Sequence, residues 1–212
     1  MISLTEILST LTQAYFFLSS TFTFGGYEIP YCLALVFIAF IFFLSRAKRS
    51  TVRWRVKASK KWLVGFRANK DRYNVMQRFS YIRSVDHYLW EEIIMTCLEE
   101  RGYSIHRTKY SRDGGSDGEF VFEKDYIVIQ AKRYRGRISK KHVQDLHHLV
   151  LRSKKFKRGL FIHTGKSSEP ILQYVRDSNN DLAMLSGVDQ IIRFLDGEKI
   201  YLFGNPLKSI DT

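Results

Sequence analysis

The chain has 212 residues, 45% of them hydrophobic and 26% charged, which fits one ordinary folded domain with an appendage. Its formal net charge of +13 is unevenly spread: residues 45–85 hold 13 Lys/Arg against the single acid Asp71, whereas residues 86–212 hold 21 against 18. The second half therefore gives no argument from charge alone for nucleic-acid binding, and two cysteines without metal or disulfide spacing exclude a zinc module and a disulfide framework.

The first 44 residues carry only Glu6 and Glu28 as charges. Residues 29–44, IPYCLALVFIAFIFFL, span about 24 Å as a helix, and residues 24–27 extend them towards the ~30 Å of a hydrocarbon core. Arg46, Lys48, Arg49, Arg53, Arg55, Lys57, Lys60 and Lys61 follow at once. An apolar run with a basic flank predicts a transmembrane helix with the globular part on the cytoplasmic side. The lipid bilayer is then a partner, with anionic headgroups against the basic stretch. Residues 4–22 are apolar but rich in Ser and Thr; a second span and an interfacial helix both remain open. The expected organisation is a membrane anchor over 1–45, a basic linker over 46–84, a globular domain over 85–197 and a tail over 198–212. In the linker, aromatics interleaved with cations suit nucleic acid and a membrane surface equally.

From residue 86 the pattern alternates. Apolar residues at 89/90, 93/94 and 97/98 predict a helix over 86–101. A strand over 103–108 precedes the turn-rich SRDGGSDG, and strands over 119–122 and 126–131 follow. A helix over 139–153, a buried strand over 159–163, a helix over 169–178, a strand over 182–185 and a helix over 188–195 complete the domain. This order predicts an α/β domain around a mixed central sheet.

The stretch RDGGSDGEFVFEKDYIVIQAKRYRG, residues 112–136, concentrates the chemistry. In an extended strand Tyr126, Val128, Gln130 and Lys132 share one face and Ile127, Ile129 and Ala131 the other. A hairpin closing around Lys124 and Asp125 with an even loop sets Asp117 opposite Lys132 and Glu119 opposite Gln130. Calcium is excluded by the EF-hand pattern, because its twelfth position falls on Lys124. Magnesium fits better: Asp117 supplies a carboxylate, Gln130 an amide oxygen, and Ala131 a backbone carbonyl. Lys132 is placed to orient a water and offset charge on phosphate.

An Asp thirteen residues before Gln-Ala-Lys, as D-G-G-x-D-G and then Q-x-K, resembles the Mrr-type catalytic domain of the PD…(D/E)xK restriction-endonuclease-like superfamily. WEE and GY at 90–103, RGLFIHTG at 158–165 and LSGVDQIIRFL at 185–195 extend the likeness over about residues 85–197. The resemblance implies a restriction-endonuclease-like fold and a type IV restriction-like endodeoxyribonuclease. It also implies Mg²⁺, with Mn²⁺ as a substitute, and a core of Asp117, Gln130 and Lys132 joined by Glu91 as the helix-borne acid. Ser116 stands where the parent motif has proline, and Gln130 where it has glutamate, which removes a negative charge from the site. With the anchor, the combined expectation is an endonuclease on the cytoplasmic membrane of a prokaryote, defending against foreign DNA. A repair or junction-cleaving nuclease and an inactive tethered DNA-binding scaffold are the alternatives.

DNA is the expected partner. Arg133, Arg135, Arg137, Lys140 and Lys141 lie where its backbone would pass, with Asp113 and Gln144 in secondary roles. Self-association as a homo-oligomer stays open. His142, His147 and His148 lack zinc spacing.

Overall fold

The computed structural model describes residues 13, 20–24, 27–108 and 116–210. It divides into two units, Met1–Arg53 and Trp54–Thr212.

In the first unit Thr21–Phe24 (β1) and Tyr27–Pro30 (β2) pair as an antiparallel hairpin, and Tyr31 N–H donates to Ser20 O at 3.0 Å. The helix Tyr31–Ala68 (α1) follows directly and continues into the second unit. The hairpin explains the outcome for the membrane anchor and its membrane localisation. Residues 24 and 27–30, which were to complete a span, are in strands, so the helix is apolar only from Tyr31 to Leu44, about 21 Å. Beyond it Arg46 and Lys48 enter the same helix. Among the described residues no helix is long and apolar enough to cross a membrane, which corrects that expectation. Of residues 4–22, offered as a second span or an interfacial helix, 21 and 22 belong to β1 and the rest, except Gln13 and Ser20, lie outside the described residues.

The second unit carries the expected elements in the expected order. After a helix that was not expected, Val75–Ile82 (α2), they are helix His87–Glu100 (α3), then strands Ile105–Arg107 (β3), Gly118–Phe122 (β4) and Asp125–Lys132 (β5). Helix Lys140–Arg152 (α4), strand Phe156–His163 (β6), helix Glu169–Arg176 (α5), strand Leu182–Leu185 (β7) and helix Val188–Leu195 (α6) follow. A small hairpin, Tyr201–Leu202 (β8) with Asn205–Pro206 (β9), lies in the stretch expected to be a tail. The sheet order is β3-β4-β5-β6-β7; β3, β4 and β5 run antiparallel, and β5, β6 and β7 parallel.

Strand alternation sorts the central residues between two cores. Ile127, Ile129 and Ala131 of β5, with Leu160 and Ile162 of β6, face the larger core, where Trp90, Ile93, Ile94 and Leu98 of α3 are buried. Val128 and Phe161 face the smaller one, filled by Val143, Leu146 and Val150 of α4 and Ile171 of α5. The stretch 46–84, read from sequence as a basic linker, is helical from 46 to 68. Trp62, Leu63 and Phe66, at helical spacing, lie in the larger core with Phe79 and Ile82 of α2. The short helix α2 was not foreseen. A capping box starts it: the Asn74 side chain accepts from Gln77 N–H, and the Gln77 side chain accepts from Asn74 N–H.

Candidate active site

The β4–β5 hairpin turns on Glu123 and Lys124, both at positive φ (58° and 102°), with Phe122 paired to Asp125. A two-residue turn of this kind normally recruits Asn or Gly. Neither is present, and the turn is centred one residue earlier than the sequence suggested. The loop is even, as expected, but the register differs by two. Gly118 pairs with Ile129 and Glu119 with Val128. Glu119 therefore does not face Gln130; it is buried and ion-paired with Lys155.

The same register brings Asp117 to the end of β5. Its N–H donates to Ile129 O at 2.9 Å, and its Oδ2 accepts from Ala131 N–H at 2.6 Å, so the residue straddles Gln130. Gly118 beside it is confined: a Cβ there would come within 2.7 Å of Met95 Sδ. Gln130 is buried, and Lys132 is half-buried two residues on, next to His163 of β6.

Glu91, near the start of α3, completes the group. Burial pushes its carboxyl up to about 8, helped by the negative charge of Asp117 and opposed by Lys132 and Arg55. Burial pushes Asp117 up to about 6 against the Ala131 hydrogen bond and the Lys132 charge. Glu91, Asp117 and Lys132 thus act electrostatically on one another, and the buried Gln130 lies on the strand between Asp117's two backbone partners. Arg55, whose guanidinium stacks 4.5 Å from the Tyr88 ring centroid, was missed by sequence reading because it sits in the basic stretch.

Arg83 and Thr164 were missed as well. Arg83 Nε and Nη2 donate to Thr164 O at 3.1 and 2.7 Å, and Thr164 N–H donates to Lys132 O at 3.2 Å. Thr164 Oγ1 also bonds the backbone of Tyr134 in both directions. These bonds fix the strand end that carries Lys132; the sequence GLFIHTG signals only a buried strand. His163, fully buried and held near pKa 4 by that burial, accepts from Gly165 N–H on Nδ1 and meets Ser167 Oγ at 3.0 Å on Nε2.

The expected DNA contacts divide. Arg135 and Arg137 are exposed on the loop after β5, which is joined to the loop after β6 by Ile138 N–H to Lys166 O (3.1 Å) and Lys166 N–H to Gly136 O (2.9 Å). Arg133 instead donates Nη1 to Arg83 O at 3.0 Å. Lys140 and Lys141 are exposed at the start of α4, with Lys140 Nζ 5.1 Å from the Tyr174 ring centroid. Gln144 is half-buried on α4. Asp113 lies outside the described residues. His142 and His147 hydrogen-bond Tyr134 and Tyr174 hydroxyls at 2.9 and 2.8 Å, a packing role.

A restriction endonuclease catalytic-domain family model matches residues 82–201, more than half of the chain. The chain belongs to the Mrr-type restriction endonuclease catalytic family. The match covers all four core residues, and the family points to a nuclease acting on DNA with a divalent metal ion. Among solved structures the chain is similar to the MspJI restriction endonuclease in complex with a 27-mer oligonucleotide. The identity is 17% and the TM-score 0.42, over 57% of this chain and 30% of that one. Nothing matches among curated proteins.

Among the described residues no group of three or more His, Cys, Asp and Glu side chains is gathered to hold a metal. The donor set nonetheless fits a hard cation. Asp117 and Glu91 offer carboxyl oxygens whose raised pKa values reflect burial of a charge that a cation would offset, and Gln130 adds a neutral oxygen.

Proposed function

We propose that this chain is a Mg²⁺-dependent DNA endonuclease of type IV restriction character, with Mn²⁺ as a working substitute, acting against foreign DNA. The observation that carries the reading is the convergence of Glu91, Asp117 and Lys132, whose charges act on one another around the end of β5. Asp117 and Glu91 would hold the cation, with the Gln130 amide oxygen as a further donor. When bound, it would supply positive charge to the scissile phosphate and acidify water. Lys132 positions the attacking water and balances the charge that grows on the phosphate as the new P–O bond forms and the sugar oxygen leaves. Asp117 is braced by Ala131 N–H, and Lys132 by the Arg83–Thr164 bonds, so neither acts from a mobile loop. Arg135, Arg137 and Lys166 bring positive charge to the two joined loops at the same end of the sheet, where a DNA backbone is held.

The test is a cleavage panel: the full chain with Mg²⁺ or Mn²⁺ on unmodified, methylated and branched DNA. Cleavage of linear duplex in at least one modification state is expected. Cleavage of branched DNA alone would replace the restriction reading with a junction-cleaving one.

A further inference from the structure

Between the last turns of α1 and the start of α2 lies a cavity of 410 Å³ that the active site does not use, within the size range of small-ligand sites. Its aromatic wall is built in depth. Trp62 stacks on Phe66 (4.9 Å between centroids, 12°) and on Tyr81 (5.2 Å, 9°), so Phe66 and Tyr81 are held flat by a buried indole. Tyr73, on the connecting turn, and Tyr81 are 44% and 49% exposed although both line the cavity.

The polar lining is equally fixed. Asn69 Nδ2 donates to Gly65 O (2.8 Å), which leaves its Oδ1 as an acceptor. Gln77 Oε1 accepts from Asn74 N–H (3.0 Å), which leaves the two N–H groups of Nε2 as donors. Arg78 is locked in place, with Nη1 and Nη2 on Asp196 and its guanidinium 4.1 Å from the Phe66 ring centroid. Its Nε is buried and makes no hydrogen bond among the described residues.

Gly65 gives an independent pointer. It sits inside a long helix, where glycine costs about 0.5–1 kcal/mol relative to alanine. A Cβ there would meet nothing within 4 Å. No packing demand explains the glycine, and it lines the cavity: any larger side chain would fill the space. Without a Cβ at Gly65, the cavity wall there stays open.

We propose that this cavity binds an unstacked nucleobase carried on phosphate, either within a single strand or as a free nucleotide. The exposed Tyr81 ring, stacked on Trp62, and the exposed Tyr73 ring take the face of the base. The Asn69 acceptor and the Gln77 donors meet its hydrogen-bonding edge, and exposed cations of α1 and of the turn after it take the phosphate. Lys61, exposed one helical turn before Gly65, and Arg72, exposed beside Tyr73, are placed to contact that phosphate. The proposal does not rest on the cleavage reading, since an inactive enzyme would bind in the same way.

The experiment follows fluorescence anisotropy of labelled short oligothymidylate with the full chain in chelator, so that cleavage plays no part. An abasic strand of equal length and free thymidine monophosphate as competitor form the other arms. The base-bearing strand is expected to bind about tenfold tighter than the abasic one. Gly65→Leu should remove that preference, keep the weak abasic binding and leave the melting temperature unchanged or higher. Displacement by the mononucleotide identifies free nucleotide as a sufficient source; failure to displace identifies the strand. Equal affinity for the two strands, or an undiminished preference in Gly65→Leu, would overturn the proposal.

Discussion

The raised carboxylates make metal binding a proton-linked event with a definite slope. A cation at the proposed site needs Glu91 and Asp117 ionised, and burial sets them to about 8 and about 6. Between those values Asp117 is already ionised and Glu91 is not, so each metal ion displaces about one proton and its affinity rises about tenfold per pH unit. At pH 7 the cost of ionising Glu91 is about 1.4 kcal/mol, and solvent at its half-exposed carboxylate trims this somewhat. The sign for the metal-free protein is the reverse. The folded state binds more protons than the unfolded chain, so stability falls as pH rises from the ordinary carboxylate range near 4.5 through about 8. Titration calorimetry with Mg²⁺ across this range, alongside thermal melts with and without Mg²⁺, measures both. The melting shift caused by Mg²⁺ should widen with pH, and Glu91→Gln should flatten the affinity slope. A wild-type affinity independent of pH between 6 and 8 would refute the placement of Glu91 at the metal.

Two further substitutions probe the supports of the site. Gly165→Ala forces a Cβ to within 2.8 Å of Gly136 O, a backbone atom that cannot swing aside, and so parts the two loops that bear Arg135, Arg137 and Lys166. DNA affinity should fall severalfold in a filter-binding or anisotropy assay, with a stability loss of about 1–3 kcal/mol by denaturant titration. Asp196→Ala leaves the buried Arg78 guanidinium without its bidentate partner, and denaturant unfolding should show a loss of about 3–5 kcal/mol.

The strand that carries the candidate site was legible in the sequence because strand alternation is a strict rule. The period of two separated Val128 from Ile127 and Ile129, and the two cores receive them as expected. The even hairpin was also foreseeable, but its centre was not, since Glu123 and Lys124 carry none of the usual residues for positive φ. Charge hid the role of residues 54–82. Their many cations suggested a solvated linker, while Ser59, Trp62, Leu63 and Phe66 at helical spacing are buried. The apolar run misled for a complementary reason: hydropathy counts residues without regard to backbone, and the strand over Tyr27–Pro30 takes the ones a span would need. The Arg83–Thr164–Lys132 brace depends on backbone carbonyls, which every residue possesses, so no side-chain pattern could announce it.

The most direct measurement is nicking of supercoiled plasmid by the purified full chain with Mg²⁺, compared with Asp117→Asn and Lys132→Ala variants of matched melting temperature. Conversion to nicked and linear forms by the wild type, and its loss by about two orders of magnitude or more in both variants, is the expected result. Cleavage at wild-type rates by either variant would contradict the assignment of the active site.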